Sequence, residues 1–174
     1  RERRPGGELV PAGDRDHYAA VTYIEPITGN QPALGLDILS EPARRATFER
    51  ARDTGEVAVT PRIAAVQDAA SRAAVMLYLP VYRTGMPVST VDERRAAVQG
   101  CVGCLLVVPE LLAPHASGEH SAEMNLELSD VTDGSPVGLF DGRKSMDPAD
   151  RAAAARLRAW TSTIQFGGRT WRFT

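Results

Sequence analysis

Apolar positions recur along this chain mostly in short alternating runs, with few helical stripes. Residues 17–24 (HYAAVTYI) and 33–39 (ALGLDIL) carry the β-branched, aromatic and aliphatic content of strands. Between them ITGNQP is a turn, where Gly29 and Asn30 supply positive φ and Pro32 ends it. Glu25 precedes Pro26 and is steered away from helix. The period then lengthens and predicts a helix from Ser40 to about Thr54. Ser40 is its cap, and Glu41 and Pro42 occupy a first turn whose N–H groups need no intrahelical partner. Phe48 and Ala51 face inward, Arg44, Arg45, Glu49 and Arg52 outward, and Gly55 stops the helix.

Residues 56–66 alternate around Pro61 and read as a bent or edge strand, followed by a polar turn at 67–72. Residues 73–82 (AAVMLYLPVY) are a strongly apolar strand and 83–89 a loop. Thr90, with Glu93 three positions on, predicts a capping box opening a short helix to residue 98. Residues 100–108 (GCVGCLLVV) form the next strand, where Gly100 and Gly103 leave room on one face. Beyond it come a short helix at 109–115, a loop at 117–123, strands at 124–130 and 137–140, and a helix at about 148–157. A closing hairpin turns at Gly167 and Gly168, and residues 1–16 are an irregular or hairpin lead-in. Several strands, few helices and tight connections indicate antiparallel sheets, hence an α+β fold. The economical layout is two sheet-plus-helix units, residues 1–108 and 109–174.

The 174 residues, 43% hydrophobic and 24% charged, are those of a globular chain able to bury a sizeable core. A formal net charge of −2 and a pI near 6.0 supply no basic field for nucleic acid and no polybasic segment for an anionic membrane. Apolar runs such as 101–109 are about half the length that spans a bilayer. Cys101 and Cys104 have redox-pair spacing, yet in a strand residues three apart point to opposite faces, and no second pair completes a metal site. They read as buried, inert thiols, with no metal and no cofactor expected.

Asp37 is the most informative polar residue. A lone carboxylate between Leu36 and Ile38 asks for a partner, a ligand donor or water. It can accept two N–H donors of a flat heterocycle, sandwiched by Met76, Tyr78, Pro80 and the gap at Gly100 to Gly103. The competing reading is that Asp37 begins the turn into the following helix. Tyr23 and Tyr78 are stacking candidates or core aromatics, and Asp68 lines the pocket or is a solvated loop charge. Asp37 and Asp68 could form an acid and base pair. There is, however, no G-x-S-x-G elbow, glycine-rich phosphate loop or metal cluster, so the domain is not expected to be catalytic.

The order YIEPITGNQPALGLDILS, RRATFERARDTGEVAVT, VMLYLPVY and VDERRAAVQGCVGCLL resembles the CHASE family, densely over residues 17–112 and loosely to the terminal GGRTWRF. These are extracytoplasmic sensor domains of receptor histidine kinases and cyclases, among them the plant cytokinin receptors. The resemblance implies two PAS-like antiparallel-sheet units in tandem, the membrane-distal one binding ligand. The family's long N-terminal dimerising helix is absent from this chain. It further implies that Asp37, in the family's LD motif, holds an adenine-like ligand, that Val59 offers a backbone contact, and that Asp68 makes one through water. Cys101 stands where the plant receptors carry an aromatic after Gly100. A homodimer in the full-length receptor, and transmembrane helices outside this chain, are expected with a kinase or diguanylate cyclase output. The alternative is a ligand-free dimerisation or spacer module, recognised by a filled space between the Asp37 and Gly100 segments.

Overall fold

The computed structural model describes residues 1–4, 8–63, 72–116, 126–145 and 160–174. Its spine is the antiparallel pair β4 (Ala74–Tyr82) and β5 (Val98–Val107), in register from Ala74 with Val107 to Pro80 with Cys101. On the other side of β4 lies the two-residue strand β3 (Ala58–Val59), so the first sheet runs β3-β4-β5 with β5 at the edge. Pro80 is tolerated in the central strand because β3 ends its pairing at Tyr78, leaving Pro80 only β5 beside it.

Alternation along β4 gives each face of this sheet its own partner. Tyr78, Met76 and Ala58 pack with Ile38, Phe48 and Ala51 beneath helix α1 (Pro42–Thr54). Val75, Leu77 and Val59 face the other way. They meet Leu128, Leu139 and Trp171 of a second antiparallel sheet, built from β6 (Glu127–Asp130), β7 (Val137–Asp141), β8 (Ser162–Phe166) and β9 (Arg169–Phe173). The order there is β7-β6-β9-β8. The chain is thus α+β, and its two sheets share one apolar core. Helix α2 (Val91–Ala97) leads into β5, and α3 (Val108–Ala116) leaves it, adding Val108 to that core.

Polar groups tie the second sheet and the helices. Arg169, almost fully buried, bonds Asp130 through Nε at 2.8 Å and reaches Asp133 at 2.9 Å. Asp53 at the end of α1 holds Arg95 of α2 at 2.6 Å and neighbouring Arg52 at 2.7 Å. These guanidiniums keep its carboxyl well below the usual carboxylate range. The capping box of α2 is formed, with Thr90 Oγ1 accepting from Glu93 N and the Glu93 carboxylate accepting from the Thr90 and Ser89 N–H groups.

Several expectations need correction. The lead-in is a hairpin of β1 (Glu2–Arg3) and β2 (Leu9–Val10), but residues 17–24 and 33–39 are not regular strands. They meet through the single bridge Ala20 to Asp37 and a few bonds such as Val21 N to Leu36 O at 2.9 Å. Pro26, Pro32 and Gly35 (φ +74°) interrupt them, and Gln31–Ala33 and Ile38–Ser40 coil into 3₁₀ turns. Helix α1 therefore starts at Pro42 with Glu41 as N-cap, and the Ser40 hydroxyl donates back to Asp37 O at 2.6 Å. Arg44, expected outside, is only 2% exposed. The strand expected at 56–66 shrinks to β3 and a bridge from Ile63 to Ala74, because Pro61 breaks it. Residues 64–71, 117–125 and 146–159 lie outside the described residues, and with them Asp68 and the helix expected at 148–157.

Candidate functional site

Between α1, the α1-facing side of β4 and β5, and segment 15–26 runs a cleft of about 1590 Å³. That exceeds the ~300–1,000 Å³ of an ordinary ligand pocket, so it is an open groove with space beyond a single heterocycle. Its apolar wall comes from Leu36, Ile38, Phe48, Met76, Tyr78 and Val98. Tyr78 faces Gly103 across the β4–β5 pair, and a Cβ there would sit 3.4 Å from the Tyr78 ring and 3.6 Å from Met76 Sδ. Gly103 thereby leaves the Tyr78 ring and Met76 in place on the cleft face.

Six of the expected site residues line this cleft: Tyr23, Met76, Tyr78, Gly100, Cys101 and Gly103. Tyr23 stands at the rim, 77% exposed, its hydroxyl 3.4 Å from Glu25 Oε2. Cys101 is half-buried, and burial pushes its thiol up to about 11, whereas Cys104 is exposed. The expectation that both thiols are buried therefore holds in part for Cys101 and not for Cys104: both lie on the edge strand β5 and line the cleft, Cys101 half-covered and Cys104 exposed.

Asp37, Val59 and Pro80 are not among the residues that line the cleft, whereas Leu36 and Ile38, on either side of Asp37, are. The Asp37 carboxylate is 1% exposed. Its Oδ1 accepts from Ala19 N at 2.9 Å and from Leu39 N at 3.1 Å, which caps the 3₁₀ turn at 38–40. Its Oδ2 is buried without a hydrogen bond, 3.6 Å from Arg15 Nη1. Arg15 also pairs with Glu2, lies over the Tyr18 ring, and keeps its buried Nε unbonded. Asp37 thus combines both sequence readings: one oxygen starts the turn, while the other has only an imperfect partner.

Val59 is engaged on every side. Its N–H donates to Gly167 O at 2.9 Å, its carbonyl accepts from Arg50 Nη2 at 2.7 Å, and its side chain sits in the core shared by the two sheets. Arg50 reaches Gly167 O as well, at 3.0 Å, so helix α1 touches the β8–β9 turn directly. Burial, together with the nearby Arg169, lowers the Arg50 pKa.

Sequence reasoning did not find Arg15 or Arg44 at the cleft. Arg44 Nε bonds Glu41 Oε2 at 2.6 Å, and Nη1 lies 3.4 Å from the Tyr78 hydroxyl. Burial opposes the charge of Arg44, yet Tyr78 and Glu41 outweigh it and raise its pKa. Burial also raises that of Tyr78. The available signal was Glu41 three residues before Arg44, a spacing that lets a helix pair them. Among the described residues no group of three metal-ligating side chains comes together, and no helix is long and apolar enough to cross a membrane.

Over 188 aligned residues the chain is 28% identical to hybrid signal transduction histidine kinase A of Dictyostelium discoideum. The alignment covers 93% of this chain and 8% of the relative, so the chain spans a small fraction of that protein. The CHASE domain model matches residues 1–140, most of the length, and the chain belongs to the CHASE family of sensor domains.

Proposed function

We propose that this domain is the extracytoplasmic small-molecule sensor of a membrane-bound signalling protein, a histidine kinase or a diguanylate cyclase. The ligand lies in the cleft against Met76, Tyr78 and Cys101 and is anchored by Asp37. The observation that carries this reading is the buried Asp37 Oδ2, without a hydrogen bond, on a residue whose two chain neighbours, Leu36 and Ile38, line the cleft. Burying a carboxylate oxygen unbonded is costly, and a ligand N–H taking the place of Arg15 would supply the missing bond. The ligand class is a flat nitrogen heterocycle of the adenine kind. Residues 1–108 form the distal, ligand-binding PAS-like unit and 109–174 the proximal one, within a homodimer whose transmembrane helices lie outside this chain.

Signal transfer follows from differential affinity for two arrangements. Helix α1 carries Phe48 on the cleft and Arg50 on the Gly167 carbonyl, so a ligand that shifts α1 also pulls on the β8–β9 turn. The catalytic output belongs to other parts of the full-length protein.

A second reading, a ligand-free dimerisation or spacer module, draws on the nearness of Arg15 to Asp37. A thermal-shift panel of purines and related heterocycles separates the two. The sensor reading requires a melting temperature that rises with concentration beyond the dissociation constant in the wild type and not in Asp37→Asn. Equal shifts in both forms would remove Asp37 as the anchor while leaving a ligand site, and no shift with any compound favours the spacer.

A further inference from the structure

We infer that the same cleft holds a second, oxyanion-binding subsite formed by Arg44 and Tyr78, and that its ligands carry a carboxylate on an apolar body. This deepens the sensor reading and rests on the cleft being a ligand site. Arg44 is 2% exposed and lines the cleft. Its Nε is taken by Glu41 and its Nη1 by the Tyr78 oxygen. Among the described residues Nη2 has no acceptor, and neither does the Tyr78 hydroxyl proton. Two neighbouring donors on buried side chains, neither with a protein acceptor, are selective for an oxygen acceptor reached from the cleft, and most strongly for a charged one.

The surroundings set the charge. The described residues lining the cleft include seven arginines against Asp16, Glu25 and Glu49, in a protein whose overall charge is −2. Arg52 and Arg95 are held by Asp53, Arg15 by Glu2 and Arg72 by Glu110. Arg45 and Arg83 have no carboxylate among the described residues, and Arg45 gives only its Nε to Leu39 O, at 2.7 Å. These two line the same cleft as Arg44 and attract an incoming anion into it. Because Glu41 already neutralises Arg44, a single negative charge suits the subsite better than the two of a phosphate monoester. Phe48, Met76, Leu36 and Val98 are placed to cover an aromatic or aliphatic body.

The test is calorimetric titration of the 174-residue chain with 2-naphthoate and phenylacetate, their primary amides, phenyl phosphate and adenine. The acids should bind at least about tenfold more tightly than the amides, because the charge-assisted bonds are lost with the charge. Tyr78→Phe, which keeps the ring in the core, should weaken the acids about fivefold and the amides less. Arg44→Gln should abolish the preference for acids, and Arg45→Gln, at an exposed position, should reduce it without disturbing the fold. Amides binding as well as acids, phenyl phosphate binding more tightly than the carboxylates, or an unchanged acid affinity in both Tyr78→Phe and Arg45→Gln would overturn the assignment. Adenine bound while no acid binds would overturn it too and leave the sensor reading standing. No binding by any of these compounds would count against both.

Discussion

Arg15 Nη1 stands 3.6 Å from Asp37 Oδ2, close enough to neutralise it and too far for a hydrogen bond. Around this pair, Arg15 Nε and Asp37 Oδ2 are both buried and unbonded. The other carboxylate oxygen is fully used, by the N–H groups of Ala19 and Leu39. One residue is therefore structural through Oδ1 and left without a hydrogen bond at Oδ2.

That division predicts different outcomes for two substitutions. Asp37→Ala leaves two backbone N–H groups without their acceptor, and should lower unfolding stability by about 2–4 kcal/mol. Asp37→Asn keeps an oxygen for both donors and should cost less than half as much. Urea denaturation of the two variants checks this, and equal losses would mean that the charge, and not the acceptor geometry, holds the turn.

The contact between the two sheets has its own signature at Gly167 and Gly168. Both have positive φ, but a Cβ on Gly167 would fall 2.4 Å from Val59 Cγ2 and 2.9 Å from Val59 N, whereas one on Gly168 would meet only the Arg50 side chain, at 3.0 Å. Backbone cannot retreat as a flexible side chain can. Gly167→Ala should thus destabilise by more than about 2 kcal/mol and Gly168→Ala by about 1 kcal/mol. If Gly167 couples the cleft to the second sheet, protection of β9 amides in hydrogen exchange should fall in Gly167→Ala along with the loss of stability.

The two thiols should separate kinetically. Cys104 is exposed, while the Cys101 thiol is raised to about 11 by burial. At pH 8 iodoacetamide should label Cys104 at least about tenfold faster than Cys101, read by peptide mass spectrometry. A thiol of the unfolded chain ionises near about 8.5, below the folded value. Hence the neutral Cys101 contributes stability in full below about pH 8.5, and that contribution declines as pH rises towards 11. A bound cleft ligand that packs against Cys101 should slow its labelling further.

The parts of the fold that were legible in sequence are those whose local pattern agrees with their packing. The apolar run at 73–82 and the strand after Gly100 became β4 and β5, the Thr90 and Glu93 pair capped α2, and the Gly167 and Gly168 turn closed β8 to β9. Residues 17–24 and 33–39 carried strand composition, but composition does not report how prolines and a left-handed Gly35 break the ladder between them. Arg44 was misplaced because charge alone suggests solvent. Its burial depends on Glu41 and on Tyr78, which lies 34 residues away, and such a tertiary partner leaves no local trace. Asp37 stood out by its apolar neighbours, whereas Arg15, in an irregular lead-in, had no periodic context to mark it.

The most direct measurement is a calorimetric titration of the strongest-binding nitrogen heterocycle against wild type, Asp37→Asn and Arg15→Ala. A ligand donor that takes over Asp37 Oδ2 must displace Arg15, so Arg15→Ala should bind several-fold more tightly than wild type, and Asp37→Asn at least about tenfold more weakly. Identical affinities in all three proteins would contradict an Asp37-anchored sensor.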